Sequence, residues 1–411
     1  MTQSSFDVVI IGAGHGGVEL AAALRQHQFS GSIALISDEP DVPYQRPPLS
    51  KDYIKRAANT PALVLKPENF YADNAIDLRL GAKAEAVDRE SRSVALSDGG
   101  SVSYGHLVFA TGARNRKPPV PGLDHPSVLE LRTLADANRI VQALPNAKHI
   151  AVVGGGFIGL EAASLLRGMG IEVDVIEMAP RLMQRAVTET MSAWFLGHHK
   201  GEGSTVHLST SVAAVEHGDG TANVQLSNGG TVKADAVLLA AGVQPNTDLA
   251  EACGLEVANG IVVNEQLLTA DPAISAIGDC AAYPSVHLGG MARLEAVQNA
   301  VDHARCVAER LTGQAKPYDA LPWFWSIQGA ARLQIAGLSR PGLSEVMRPG
   351  ADESRFSVFL YDGEELVAVE SVNSPADHMA ARKLIGSGIE LTQQQAGDPA
   401  FDLKALISAR G

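Results

Sequence analysis

The sequence predicts an α/β fold in which two parallel-sheet units of the same kind are joined to a smaller α+β domain. Three observations carry that prediction. A β-branched apolar run at 6–11 leads into a glycine-rich turn and a helical stretch, and the same order returns about 140 residues later from position 150. Beyond Pro322 the texture changes to aromatic and alternating segments. At 411 residues, and roughly 150 per domain, the chain has room for two or three cores.

In chain order, 6–11 predicts a strand, Gly12-Ala13-Gly14-His15-Gly16-Gly17 a turn, 18–26 a helix, and 32–36 a second strand that ends at Ser37-Asp38. The repeat has a strand at 150–153, the turn Gly154-Gly155-Gly156-Phe157-Ile158-Gly159, a helix from 160 to about 168, and a strand at 172–176 ending at Glu177. Lys117-Pro118-Pro119-Val120-Pro121-Gly122 reads as the hinge between the two units, and Gln244-Pro245-Asn246 as a second boundary after a strand-like run at 236–241. Leu294, Val297, Val301, Ala304, Ala308 and Leu311 recur at helical spacing, which predicts an amphipathic helix over 293–311 with Gly313 as its terminating glycine. Runs at 356–361 and 366–372 predict antiparallel strands that close on a helix near 377–385.

Composition narrows the function classes. Hydrophobic residues make up 45% and charged residues 19%, an ordinary globular balance, and the net charge of −13 repels nucleic acid and anionic membrane. Cys253, Cys280 and Cys306 lie 27 and 26 residues apart. A cysteine-ligated metal or iron–sulfur site needs close pairs and about four ligands, so no resident metal is expected, and no close cysteine pair supports dithiol chemistry. No apolar run reaches the roughly 20 residues of a membrane span, and the N-terminal residues lack a signal-peptide layout. A cytoplasmic location is the expectation.

In Gly12-x-Gly14-x-x-Gly17 the first glycine allows the tight turn, the second lets a pyrophosphate approach the backbone, and the third lets helix and strand pack closely. Asp38, 26 residues after Gly12, stands where a carboxylate takes ribose hydroxyls. Gly154-x-Gly156-x-x-Gly159 repeats the pattern with Glu177 at a spacing of 23. A carboxylate there accepts hydrogen bonds from the adenosine ribose and repels a 2′-phosphate, which favours NADH over NADPH; Arg181 and Arg185 lie near enough in sequence to soften the choice. Two such units suggest two dinucleotides.

Two further motifs narrow the family. Leu107-Val108-Phe109-Ala110-Thr111-Gly112 with Pro118, Pro121 and Gly122, and Ile274-Ser275-Ala276-Ile277-Gly278-Asp279-Cys280-Ala281, resemble the secondary flavin motifs of the two-dinucleotide-binding flavoproteins. Within that superfamily, Pro43-Tyr44-Gln45-Arg46-Pro47-Pro48-Leu49-Ser50-Lys51, Glu295-Ala296-Val297-Gln298-Asn299-Ala300 and Pro322-Trp323-Phe324-Trp325-Ser326 resemble the FAD-dependent ferredoxin reductases of bacterial oxygenase systems. The resemblance implies FAD held by 1–116 with 246–321, NADH held by 117–245, and a third domain at 322–411. It implies a hydride passed from NADH to flavin N5, and electrons leaving singly to a 2Fe–2S ferredoxin that feeds a cytochrome P450 or a ring-hydroxylating oxygenase.

The same resemblance implies that Gly12, Gly14, Gly16, Gly17, Asp38, Arg46, Lys51, Ala84, Ala110, Thr111, Gly112, Arg132, Asp279 and Val297 contact FAD. Asp279 would hold a ribityl hydroxyl, and the helix after it would turn its positive end to the flavin pyrimidine edge. Gly154, Gly156, Ile158, Gly159, Glu177, Arg185 and Gly242 would contact NADH, and Lys51, Glu161, Glu295 and Trp325 would reach the isoalloxazine. Ile327 departs from the family pattern, which often has Asp there.

Read on their own, these residues leave alternatives open. Lys51 ends a proline-rich loop, where lysines are ordinarily solvated, while Glu161 two residues past a fingerprint glycine would need a partner if buried. They are either an ordinary ion pair or a pair that answers the flavin's charge. Trp323 and Trp325 are either core aromatics or a flavin shield, and the alternation suggests one ring inward and one outward. His15 reads as a tolerated neighbour of phosphate, His198-His199 as a solvated loop, and Cys280 as buried filler. Arg293, Arg332, Arg340 and Lys383 are candidates for a local basic patch that would steer an acidic ferredoxin. Rival functions are a monodehydroascorbate-type radical reductase, a cysteine-dependent peroxide or disulfide reductase, and an apoptosis-inducing-factor-like flavoprotein.

Overall fold

The structure is a computed structural model that describes residues 4–56, 63–218 and 220–408. It divides into two compact units: 1–45, 59–114 and 244–322 form one, and 46–58, 115–243 and 323–411 form the other.

The first unit is built on a seven-stranded sheet. Ile76–Arg79, Ile33–Ile36, Ser4–Ile11 and Ser101–Phe109 lie side by side and parallel, Ile274–Ala276 joins parallel to Ser101–Phe109, and the hairpin Ala84–Asp88/Ser93–Leu96 completes the sheet. Val8 to Ile11 are buried in succession, as a parallel strand covered on both faces requires. The helices His15–Gln26 and Val297–Leu311 pack on this core.

The second unit repeats the plan in a five-stranded parallel sheet ordered Thr205–His207, Glu172–Ile176, His149–Val153, Ala236–Leu239 and Leu129–Glu130. A meander, Val212–Gly218, Thr221–Leu226 and Thr231–Ala234, follows in the same unit. Its C-terminal part is an antiparallel sheet ordered Trp323–Gln328, Ala331–Gly337, Glu365–Val372, Phe356–Asp362 and Ser344–Pro349, closed by the helix Pro375–Leu384. A buried Arg348 ties in the chain after it by donating to the carbonyls of Gln395, Ala396, Asp398, Pro399 and Phe401.

Four expectations need correction. The fingerprint helices begin three residues earlier than predicted, at His15 and Phe157, because the third glycine of each turn already lies inside the first helical turn. The long helix begins at Val297 rather than 293; Ala296 is still extended and Arg293 pairs with Glu295, so the helical spacing of Leu294 is coincidental. His198 and His199 are not in a loop. They lie in the last turn of the helix Glu189–Gly201, and His199 is fully buried. Trp323 and Trp325 do not face opposite ways: their rings stand 5.5 Å apart, because residues two apart on a strand share a face.

Candidate functional site

Each unit carries one glycine turn, and the two have nearly the same geometry. Gly12 has φ +110°, and a Cβ there would meet Ala110 O at 2.2 Å; Gly154 has φ +117°, and a Cβ would meet Ala240 O at 2.3 Å. The third glycines, Gly17 and Gly159, pack so tightly that a Cβ would stand 1.9 and 2.1 Å from the carbonyls of Gly12 and Gly154. The middle glycines differ. Nothing lies within 4 Å of a Cβ on Gly14 or Gly156; each is the N-cap of its helix, and neither helix has a side-chain cap or an acidic residue in its first turn. Each helix N-terminus therefore lacks a side-chain cap beside a middle glycine with open space around it, so both turns fit the pyrophosphate of a dinucleotide.

In the first unit the Ala110-Thr111-Gly112 turn leaves the end of Ser101–Phe109 and is clasped by Asn246. Thr111 Oγ1 donates to Asn246 O at 2.7 Å, Asn246 Nδ2 donates to Thr111 O at 2.8 Å, and Asn246 N donates to Gly112 O at 2.9 Å. The sequence marked Asn246 only as a boundary, so this clasp was missed. Asp279 sits half-buried in the short 3₁₀ turn Gly278–Cys280, three residues past the end of the parallel strand Ile274–Ala276. The hairpin strands Ala281–Ser285 and Gly290–Ala292 separate it from Val297, the first residue of a helix whose N-cap, Ala296, offers no side-chain acceptor. Glu295 is 2.7 Å from Arg293. Ala84 is buried at the start of its strand, and Asp38 is exposed two residues beyond Ile36. Its half-buried neighbour Glu39 accepts from Tyr44 Oη.

In the second unit the 3₁₀ turn Pro47–Ser50 delivers Ser50 and Lys51 to Glu161, one turn into the helix Phe157–Gly168. Glu161 is 4% exposed, and both its oxygens are saturated. Oε2 accepts from Ser50 Oγ at 2.5 Å and Lys51 Nζ at 2.6 Å, while Oε1 accepts from Ser326 Oγ at 2.8 Å and Ile327 N at 3.2 Å. Four donors on one carboxylate satisfy the burial of its charge. Ser50, Ser326 and the Ile327 amide were not singled out from sequence; Ile327's side chain is exposed, and its contribution here is backbone. Arg46 Nη1 donates to Arg132 O at 2.7 Å. Trp325 is half-buried beside Trp323, and on the opposite face of that strand Phe324 packs on Phe157 at 4.5 Å between ring centroids.

Glu177 accepts from Gly155 N and Ala179 N, both at 2.7 Å, one on each carboxylate oxygen. This fixes the carboxylate beside the second glycine turn with lone pairs to spare. Ile158 is exposed at the helix start, and the exposed Arg185 brings Nη2 to 3.6 Å from where a Cβ on Gly242 would stand. Of the candidate docking cations, Arg293 and Arg340 pair with Glu295 and Asp362, whereas Arg332 and Lys383 are exposed. The three cysteines are free thiols; Cys280 is fully buried, and burial pushes the Cys306 thiol up to about 11. Among the described residues no group of three or more His, Cys, Asp or Glu side chains could hold a metal ion, and no helix is long and apolar enough to cross a membrane.

Residues 6–304 match the family model of the pyridine nucleotide-disulphide oxidoreductases, and 323–407 match the reductase C-terminal model. The chain belongs to the pyridine nucleotide-disulphide oxidoreductase family. Among curated relatives of this oxidoreductase, rhodocoxin reductase of Rhodococcus erythropolis is 46% identical over 402 residues, covering 98% of this chain and 94% of that one. The ferredoxin reductase for the CYP199A2 system from Rhodopseudomonas palustris superposes with a TM-score of 0.94 at 48% identity, covering 97% of this chain and 99% of that one. The putidaredoxin reductase–putidaredoxin complex superposes with a TM-score of 0.93 at 35% identity, covering 100% and 99%. The expected α/β class, with two dinucleotide-binding folds and a smaller C-terminal domain, holds for this oxidoreductase.

Proposed function

We propose that the chain is an NADH-dependent ferredoxin reductase that takes a hydride from NADH and delivers electrons singly to a 2Fe–2S ferredoxin serving a cytochrome P450 or ring-hydroxylating oxygenase. The observation that carries this reading is the pair of glycine turns, each with a tight first glycine, an open middle one and an uncapped helix N-terminus. The names of the relatives, all reductases of small electron-transfer proteins, point the same way. FAD, when bound, supplies the conversion of a two-electron donor into a one-electron source.

The chain's own part is to bind, orient and hold charge. Gly12, Gly14, Gly16 and Gly17 would receive the FAD pyrophosphate, Asp38 the adenosine ribose, and Asp279 the ribityl chain, with Arg46, Ala84, Ala110, Thr111, Gly112, Arg132 and Val297 completing its cradle. Gly154, Gly156, Ile158 and Gly159 would receive NADH. Glu177 would take the ribose hydroxyls and disfavour a 2′-phosphate, with Arg185 and Gly242 alongside. Lys51, Glu161, Glu295 and Trp325 would reach the flavin ring, with Lys51 and Glu161 keeping a positive and a negative charge beside it and Trp325 excluding water. In domain terms, 1–116 with 246–321 would bind FAD, 117–245 NADH, and 322–411 would complete the electron exit.

The thiols support a ferredoxin reductase over a cysteine-dependent reductase, since burial raises all three above the ordinary thiol range and weakens them as nucleophiles. Three free thiols also suit a reducing compartment, and we place the protein in the cytoplasm, where NADH is available. Anaerobic mixing of FAD-saturated protein with NADH should bleach the visible flavin absorption, and a 2Fe–2S ferredoxin should restore it. An FAD-loaded preparation that NADH leaves yellow would overturn the proposal.

A further inference from the structure

We propose that His199 and Gln328 are positioning residues for this reaction: with Ser326 they form a one-way chain of hydrogen bonds, His199 to Gln328 to Ser326 to Glu161, that fixes the carboxylate holding Lys51. The inference rests on the reading of Lys51 and Glu161 as the charged pair beside the flavin.

The strand Trp323–Gln328 alternates, so Phe324, Ser326 and Gln328 share one face. Along that face Phe324 meets Phe157, Ser326 meets Glu161 one helical turn further on, and Gln328 meets His199 of the helix Glu189–Gly201. Ser326, Gln328 and His199 are each 0% exposed. The contacts are 2.8 Å from His199 Nε2 to Gln328 Oε1, 3.2 Å from Gln328 Nε2 to Ser326 Oγ, and 2.8 Å from Ser326 Oγ to Glu161 Oε1.

The direction of every bond follows from the end of the chain. An ionised carboxylate accepts only, so Ser326 must donate its single proton to Glu161. Its oxygen then receives an N–H from Gln328, which turns the Gln328 amide oxygen toward His199. His199 must therefore carry its proton on Nε2. Burial holds this imidazole below its ordinary range, in the neutral state, and Nδ1 is a buried atom without a hydrogen-bond partner. The fold thus buries a histidine whose one bonded nitrogen is the donor to Gln328 and whose other nitrogen has no partner. Met183 Sδ, 3.5 Å from Gln328 Nε2, occupies the amide's other donor side and supports the same orientation.

The test uses the FAD-loaded full chain. In ¹H–¹⁵N NMR the wild-type His199 ring should show a solvent-protected proton on Nε2 and a bare Nδ1, and Ser326→Ala should move that signal although Ser326 does not touch the ring. Gln328→Met and His199→Leu should slow flavin reduction at saturating NADH about five- to tenfold, the scale of one hydrogen bond between neutral groups, with KM for NADH little changed. Both should also shift the flavin midpoint potential. A wild-type proton on Nδ1, or a His199 signal indifferent to Ser326→Ala, overturns the chain, and the wild-type spectrum decides even if a variant fails to fold. Wild-type flavin that NADH does not reduce would instead defeat the functional reading and leave the NMR result standing by itself.

Discussion

Lys51 Nζ stands 2.6 Å from Glu161 Oε2 although 110 positions separate the two residues. The pair is asymmetric: the lysine side chain is 20% exposed and the glutamate 4%. Removing the lysine leaves a buried carboxylate with three neutral donors, whereas removing the carboxylate charge leaves an ammonium that still reaches water, Pro47 O and Ser50 Oγ. Lys51→Met should therefore cost more stability than Glu161→Gln, about 1–3 kcal/mol, and the double substitution should cost less than the sum. Urea unfolding of the four proteins reads this directly. Equal single costs that add would show the two residues to be independent.

The glycine turns make a sharper prediction because neighbouring glycines have opposite tolerances. Gly154→Ala puts a Cβ 2.3 Å from Ala240 O at a positive φ and should cost several kcal/mol or abolish folding of the second unit. Gly156→Ala meets nothing within 4 Å at an ordinary φ of −84°, so it should fold with a melting temperature within a few degrees of wild type. Its added methyl would face the incoming pyrophosphate, raising KM for NADH about tenfold or more while FAD content is unchanged. A Gly156→Ala protein with wild-type NADH kinetics would show that the nucleotide does not approach this turn.

These turns were legible because their requirement is local: a positive φ, a close approach and a helix start are written within six residues. The Glu161 cluster was only half legible. The Lys51–Glu161 pairing was visible through a family resemblance, but Ser50, Ser326 and the Ile327 amide were not, since which donors surround a carboxylate depends on a turn and a strand more than 100 positions away. His198-His199 were misread for the same reason. Two adjacent histidines look hydrophilic, and only Gln328, 129 positions downstream, makes burial of His199 possible. The tryptophan error was of another kind, a miscount of the strand's period of two, which the sequence itself could have corrected.

In the proposed reading Glu177 sets the nucleotide preference through charge, and its carboxylate also holds Gly155 N and Ala179 N. Glu177→Gln keeps an acceptor for one of those amides and removes the negative charge that opposes a 2′-phosphate. The ratio of kcat/KM for NADPH to that for NADH should rise about tenfold, a change of about 1.4 kcal/mol, mostly through KM for NADPH. The exposed Arg185 is a cation available to meet the phosphate, so Glu177→Gln with Arg185→Ala should lose part of the gain. An unchanged ratio in Glu177→Gln would place the ribose elsewhere.

Glu370 predicts how the second unit responds to pH. Its carboxylate, fully buried on the strand Glu365–Val372, accepts from Thr188 N at 3.0 Å and Thr188 Oγ1 at 2.8 Å, and so holds the N-cap of the helix that carries His199. Burial pushes this carboxyl from an ordinary 4.5 up to about 7, against the lowering effect of the Thr188 hydrogen bonds. Because the folded chain keeps this proton where the unfolded chain has released it, the stability from this group is present below about pH 4.5 and is lost as pH rises through about 7. The full loss is about 3 kcal/mol. Glu370→Gln removes the titration while retaining an acceptor for Thr188 N, so the variant should match wild type near pH 4 and exceed it by about 1–3 kcal/mol near pH 8. Comparing variant with wild type at each pH cancels every other titrating group, and urea midpoints supply the difference. A gap that does not widen between pH 4 and pH 8 would mean that Glu370 is ionised throughout and that its two Thr188 hydrogen bonds outweigh the cost of burial.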